Sequence, residues 1–81
     1  MAYRNILSDP VTRAVYEYIR DRIEQDSCPP TLREIARACY IGRSTLMRHL
    51  DRLEAYGAIY REANIARGIR LGDKEPPFDE D

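Results

Sequence analysis

The stretch that decides the fold is TLREIARACYIGRSTLMRHLDRLEAYG, residues 31–57. Thr31 is followed three positions later by Glu34, the pairing of a capping box, in which two side chains satisfy backbone N–H groups of a first helical turn. Residues 39–42 interrupt the apolar pattern, which indicates a break between two helices. Gly42 is a tolerated N-cap for the second helix. The apolar stripe of the first helix, at helical spacing, consists of Leu32, Ile35, Ala36 and Cys39. Two helices joined by a tight turn are therefore predicted.

The second helix is predicted from about Arg43 to Tyr56, with a leucine face and a polar face. The face expected to be buried carries Leu46, Leu50 and Leu53. The face expected to be exposed carries Ser44, Arg48 and Asp51. Such a pair of helices is a helix-turn-helix, whose second helix enters the DNA major groove.

A scaffold helix precedes this unit. Pro10, after Ser8 or Asp9, suits a first helical position because its missing N–H costs no hydrogen bond there. Apolar residues then recur at every fourth position, which predicts a helix over about 11–26. Cys28, Pro29 and Pro30 should end it and hold the chain extended, where a short edge strand can form.

A hairpin and a tail follow the helices. Residues 58–62 and 69–71 alternate in polarity, and the intervening 63–68, ANIARG, has turn residues, so a β-hairpin is predicted with Arg67 held out into solvent. Residues 73–81 contain five acids and two prolines, with Phe78 as the apolar residue, and should be disordered.

These limits give one domain over residues 10–72, an N-terminal segment (1–9) and an acidic tail (73–81) within 81 residues. A domain this small buries only about 60% of its unfolded surface, so a homodimer is expected through the first helix, the N-terminal segment or the tail. The loose apolar trio Tyr3, Ile6 and Leu7 suits such a contact. No apolar run approaches the roughly 18 residues of a membrane span, and no signal-peptide core is evident, so an intracellular protein is expected.

The net charge of −1 conceals an uneven distribution. Residues 1–72 hold twelve arginines and nine acids, a net +3, whereas residues 73–81 hold one lysine and five acids, a net −4. A basic folded region is the electrostatic requirement for nucleic-acid binding.

Metal, disulfide and cofactor sites are not expected. Two cysteines and one histidine are too few for a four-ligand zinc site. A helix between Cys28 and Cys39 would hold them roughly 12 Å apart, beyond the ~7 Å limit for a disulfide. Inert thiols are therefore favoured, and a bridge between two molecules through Cys28 is the alternative.

The order helix, strand, helix, turn, helix and hairpin resembles the winged helix-turn-helix. The phrases PPTLREIA (29–36) and ARGIRL (66–71) resemble the DNA-binding domain of the LexA family, over about residues 10–72. Residues 39–59 differ, because the turn is about one residue shorter than in LexA and resembles general bacterial winged-helix regulators. The LexA protease uses a serine–lysine pair. Here the only serines are Ser8, Ser27 and Ser44, and the only lysine is the tail residue Lys74, so no self-cleavage is expected.

The resemblance implies a sequence-specific binder of double-stranded DNA, most simply a transcriptional repressor of a bacterial, phage or plasmid system. Arg48 would read guanine, Met47 a thymine methyl, and Arg52 a phosphate. The wing would place Arg67, with Arg61 or Arg70, on the minor groove or backbone. The full predicted DNA-binding set is Thr31, Arg33, Arg43, Ser44, Thr45, Met47, Arg48, Arg52, Arg61, Arg67 and Arg70.

Alternatives accompany several of these residues. His49 is expected to pack in the interior rather than contact phosphate, and Tyr40 and Tyr56 to close the core rather than stack on bases. Arg67 can instead cap the wing turn. A winged helix can also serve as a protein-contact module or as a subunit of a larger assembly, and the acidic tail favours that alternative. An enzyme is not expected, since no paired carboxylates, activated nucleophile or glycine-rich phosphate loop is found, and no small-molecule ligand is evident.

Overall fold

A computed structural model describes residues 9–62, 65 and 67–76. Within these residues it contains three helices followed by a two-stranded antiparallel hairpin, the architecture of a winged helix-turn-helix. The predicted fold class, mainly α with a small hairpin, is therefore confirmed. The elements are α1 (Pro10–Asp26), α2 (Leu32–Cys39), α3 (Arg43–Tyr56), β1 (Ile59–Arg61) and β2 (Ile69–Leu71).

Local side-chain caps fix where the first two helices begin. The Asp9 carboxylate accepts the Val11 N–H at 2.8 Å, and Pro10 occupies the first turn of α1. At α2 the capping box forms as predicted, with the Glu34 N–H donating to Thr31 Oγ1 at 3.1 Å and the Thr31 N–H donating to Glu34 Oε1 at 3.0 Å. Each cap satisfies backbone donors that have no partner inside the helix.

The turn between α2 and α3 depends on a left-handed residue, Tyr40, with φ 57°. Its N–H donates to the Arg37 carbonyl, and the Ile41 N–H donates to the Ala36 carbonyl. This pair of bonds is a Schellman motif, which satisfies the last carbonyls of a helix and reverses the chain. Gly42 then serves as the N-cap of α3, as predicted, without a side-chain cap.

The core lies where the three helices meet the inner face of the hairpin. Its apolar residues come from every element, and the leucine face of α3 is fully buried, as its spacing predicts. Burying a Leu or Ile side chain contributes about 1.5–3 kcal/mol, so these residues dominate the stability of a small domain. The buried apolar core consists of Val15, Tyr16, Ile19, Ile35, Leu46, Leu50, Leu53, Ala58, Ile59 and Ile69.

The hairpin is anchored to α3 by two close backbone approaches. Gly57 ends α3 with φ 100°, a conformation that glycine adopts without steric cost. The Gly72 N–H donates to the Ala58 carbonyl at 2.7 Å, and a side chain at Gly72 would clash with the Gly57 carbonyl. The strands pair in the register Ile59 with Leu71 and Arg61 with Ile69.

Two expectations about the connections are wrong. Residues 28–30 form no strand, because Pro29 and Pro30 lack N–H donors and the Pro29 carbonyl accepts an arginine of the wing instead. The first residues of the expected disordered tail contact the hairpin and the end of α3, although Asp73, Lys74 and Glu75 are exposed. The Tyr60 hydroxyl donates to Asp73 at 3.0 Å, the Lys74 N–H donates to the Gly57 carbonyl at 3.1 Å, and Pro76 is buried.

The remaining sequence expectations for the ends of the chain lie outside the described residues. They concern the trio Tyr3, Ile6 and Leu7, and the disorder of residues 77–81 with Phe78. The two cysteines are free and half-buried, and burial raises the pKa of the Cys39 thiol. None of the helices in the described part has the length and apolarity that crossing a membrane requires.

Candidate nucleic-acid interface

The N-terminal half of α3 presents a polar, solvent-exposed surface. Arg43, Ser44 and Arg48 are exposed, whereas Thr45 is half-buried and Met47 packs partly against the core. The leucine face fixes this orientation, because it rotates the opposite side of the helix towards solvent. Arg43, Ser44 and Arg48 are thus available to a ligand, while Met47 offers only part of its side chain.

Four arginines on the helix-turn-helix carry unneutralised charge. No residue within the described ranges forms an ion pair with Arg33, Arg37, Arg43 or Arg48, and all four are exposed. The other described arginines each lie within 4.0 Å of a carboxylate. The free positive charge is therefore concentrated on α2 and on the exposed side of α3, where a polyanion can neutralise it.

Arg61, predicted as a DNA contact, is held against α3. Its Nη2 atom lies 2.6 Å from Asp51 Oδ1 and 2.7 Å from Glu54 Oε1. Burial disfavours the charge of Arg61, but hydrogen bonds from Asp51 and Glu54 outweigh that effect and raise its pKa. The ion pairs fasten β1 to the second half of α3, so this guanidinium positions the wing.

Arg67 lies differently from the sequence expectation, because its side chain folds back onto α2. Its Nη1 atom donates to the Pro29 carbonyl at 2.7 Å, and Nη1 and Nη2 lie 3.3 Å from Glu34 Oε1 and Oε2. Glu34 also accepts the Thr31 N–H and lies 3.5 Å from Arg22. The hydrogen bond from Thr31, then that from Arg67, lowers the pKa of Glu34. Arg67 therefore neither extends into solvent nor caps the wing turn, the two positions expected from the sequence.

The other predicted contacts differ in how free they are. Arg70 is 70% exposed and only distantly paired with Glu62, at 3.8 Å. Arg52 is half-buried and lies 3.7 Å from Asp9. The Thr31 hydroxyl accepts the Glu34 N–H in the capping box, and Thr31 is half-buried. Of these side chains Arg70 is the one most available to a ligand.

His49 is buried, as predicted, and joins the recognition helix to α1. Its Nδ1 lies 2.7 Å from Thr12 Oγ1, a residue that is fully buried. Burial lowers the pKa of His49, and the Arg52 and Arg48 charges act in the same direction against Asp9. The neutral imidazole therefore satisfies a buried hydroxyl and fixes how α3 crosses α1.

The two tyrosines expected in the core have separate positions. Tyr56 is half-buried and packs against the core, with the Lys74 ammonium 5.8 Å from its ring centre. Tyr40 is 92% exposed, so the expectation that it closes the core is wrong.

The sequence analysis assigned no part in this surface to three residues, Glu34, Arg37 and Tyr40. Glu34 was recognised as a cap but not as the acceptor for Arg67, which is 33 residues away. Arg37 is exposed on α2 four residues after Arg33, and Tyr40 is exposed in the turn directly after that helix. The spacing of four residues between the two arginines was the available signal in the sequence.

Comparison with known proteins identifies the family of this interface. The family described as LexA DNA binding domain matches residues 10–68. LexA repressor 2 of Pseudomonas putida is 42% identical over 65 residues, which are 79% of this chain and 32% of that protein. LexA repressor 2 of Xanthomonas campestris pv. campestris is 47% identical over 60 residues (73% of this chain, 28% of that protein), and LexA repressor 1 of Geobacter sulfurreducens is 43% identical over 63 residues (76% and 31%). The chain spans about a third of the length of these relatives. On this evidence it belongs to the LexA DNA-binding domain family.

Proposed function

We propose that this protein binds double-stranded DNA sequence-specifically and acts as a transcriptional repressor inside the cell. The observation that carries the proposal is the start of α3, where Arg43, Ser44 and Arg48 are exposed and neither arginine forms an ion pair with a described residue. The relatives named LexA repressor support the same activity. The start of a recognition helix is where base-contacting residues of a helix-turn-helix lie.

Each side chain of α3 has a role that suits its chemistry. Arg48 presents a planar fork that matches guanine O6 and N7. Ser44 donates to a base or a phosphate, and Arg43, at the helix start, binds phosphate beside backbone N–H groups. Thr45 and Met47 contribute through their exposed parts, Met47 against a thymine methyl. Arg33 on α2 and Arg52 in the second half of α3 serve as phosphate contacts.

The wing contributes Arg70 as its DNA contact. Arg70 projects from the outer face of the hairpin and is 70% exposed, so it can exchange its distant Glu62 partner for a phosphate at little cost. Arg61 and Arg67 hold the wing to α3 and α2 through their carboxylate partners. In this proposal they determine where Arg70 meets the DNA.

A homodimer is part of the proposal. A single domain of this size offers a short recognition surface, and two copies related by a two-fold axis would read two half-sites about one helical turn apart. Helix α1, whose outer side is exposed, is proposed to form the contact. Sedimentation of the full chain at tens of micromolar, with and without DNA, should show a species of twice 9.4 kDa.

Selection of bound sequences from a random duplex library, followed by titration against salt, tests the proposal. We expect a palindromic consensus and an affinity that falls steeply as salt rises, because bound arginines release counterions from the duplex. If the bound duplexes shared no consensus sequence, specific readout would be contradicted. An absence of duplex binding at 50 mM salt would contradict DNA binding itself and would favour a protein-contact module.

A further inference from the structure

A groove of about 580 Å³ lies along the outer side of α2 and the turn after it. Its volume is in the range of about 300–1,000 Å³ that ligand sites occupy. Its lining combines apolar side chains with three arginines. The residues are Leu32, Ala36, Tyr40 and Ile41, with Arg33, Arg37 and Arg43.

Tyr40 is unusual at this position. It has a left-handed backbone, φ 57°, at a place where helices more often use glycine or asparagine. Its ring is 92% exposed and so contributes little to the core. Large, exposed aromatic residues beside other apolar groups are characteristic of interaction surfaces.

The groove also carries an excess of positive charge. Arg33, Arg37 and Arg43 are exposed, and none pairs with a carboxylate in the part of the chain that the structure describes. Glu34, the acid nearest in sequence, is occupied by Arg67 and Arg22. Guanidinium groups bind carboxylates through paired hydrogen bonds, so the groove is complementary to an acidic ligand with an apolar group.

We propose that this groove binds an acidic segment of a partner protein, with one aromatic side chain of that segment on the apolar lining and its carboxylates on the three arginines. Charge complementarity and the apolar lining together identify this chemistry. A DNA backbone would satisfy the arginines, but it offers only the C–H groups of its sugars, and no aromatic ring, to Leu32, Ala36 and Ile41.

The bound segment competes with DNA. Arg33 and Arg43 belong to both the groove and the proposed DNA surface, so a carboxylate-rich segment occupies cations that phosphates need. The partner therefore relieves repression by displacement, without a conformational change. This regulatory consequence depends on the proposed function, whereas binding of the segment does not.

The test uses a fluorescein-labelled peptide, EDEFDED, titrated with the full chain at 50 mM salt and followed by anisotropy. Two control peptides separate the contributions: EDESDED keeps the charge without the aromatic anchor, and QNQFNQN keeps the anchor without the charge. We expect each control to bind at least about tenfold more weakly. An unlabelled mixed-sequence duplex should displace the peptide.

Variants locate the site. Tyr40→Asn removes the ring while tolerating the left-handed backbone, and Arg37→Gln removes one charge outside the proposed DNA set. Each should weaken EDEFDED binding by about fivefold or more, while Arg70→Gln, an equally exposed arginine on the wing, should change it by less than about twofold. Circular dichroism of each variant shows whether the fold is retained.

Several outcomes would overturn the inference. Equal binding of EDESDED and EDEFDED would show that only charge attracts the peptide. Equal losses of peptide affinity in Arg37→Gln and Arg70→Gln would show that the peptide does not bind in the groove. Loss of duplex binding in Tyr40→Asn without any peptide binding would assign the groove to DNA. Simultaneous binding of peptide and duplex would overturn the competition alone, and peptide binding without duplex binding would reject the proposed function but support the site.

Discussion

The Arg67 guanidinium of the wing faces the Glu34 carboxylate of α2, with both Nη atoms 3.3 Å from a carboxylate oxygen. The same carboxylate caps the start of α2 through the Thr31 N–H at 3.0 Å. One acid therefore joins the helix-turn-helix to the wing. The position of the wing relative to the recognition helix follows from this pair and from Arg61 with its two acids.

We expect Arg67→Ala and Glu34→Gln to weaken DNA binding through loss of wing position rather than loss of a phosphate contact. In that case the slope of log K against log salt stays unchanged in both variants. Hydrogen exchange at the Gly68 N–H, which donates to the Ile65 carbonyl at 3.2 Å, should accelerate in both.

A phosphate contact by Arg67 would give another result. Arg67→Ala would then lower the salt slope by about one unit, and Glu34→Gln would leave it unchanged or increase affinity by freeing the arginine. Arg20→Ala on α1, which removes a half-buried arginine paired with Asp21, is the control for loss of charge.

The buried pair His49 and Thr12 predicts a pH-dependent stability. The pKa of His49 is lowered from its ordinary 6.5 in the folded protein, mainly by burial. As pH falls below about 6.5, the unfolded chain therefore binds a proton at His49 before the folded chain does, and the free energy of unfolding decreases. Thermal unfolding measured from pH 7 to pH 5 should show this loss.

His49→Gln provides the comparison, because glutamine cannot titrate. Its midpoint should change less than that of the parent protein between pH 7 and pH 5, whatever its absolute stability. Glu34 does not interfere, because its pKa is lowered from 4.5 and its contribution is lost only below that pH. Parallel pH profiles for the parent and variant would show that another group is responsible.

Because Gly72 lies against the backbone of Gly57, replacement by serine should affect stability more at Gly72 than at Gly42. Gly72→Ser should destabilise the protein by about 1–3 kcal/mol, because the new side chain meets the backbone of Gly57 and Ala58. Gly42→Ser should change stability by only a few tenths of a kcal/mol, since nothing lies within 4 Å of its Cβ position and serine is a good N-cap. Urea unfolding of both variants measures the difference, and comparable losses would contradict it.

The sequence predicted what depends on neighbours along the chain. The capping box of Thr31 and Glu34 spans three residues, and the leucines of α3 recur at the helical period, so both were readable without tertiary information. Arg67 and Glu34 are 33 residues apart, and Arg61 is 10 residues from Asp51, so their pairing depends on how the hairpin docks on the helices. Tyr40 was misjudged because an exposed aromatic in a left-handed turn has no local signal of the kind that glycine or asparagine gives.

Arg48 provides the sharpest test of sequence readout. It is exposed on α3 and free of ion pairs to described residues, so replacing it should leave the fold unchanged. If its guanidinium contacts a guanine, Arg48→Ala should cost about 1–3 kcal/mol on the selected site and relax preference at one position, with a much smaller effect on non-specific duplex. Arg20→Ala, on the opposite scaffold helix α1, should change neither quantity. Binding measured on the consensus and on single-base variants decides the assignment, because retention of both affinity and preference in Arg48→Ala would place the start of α3 outside the major groove.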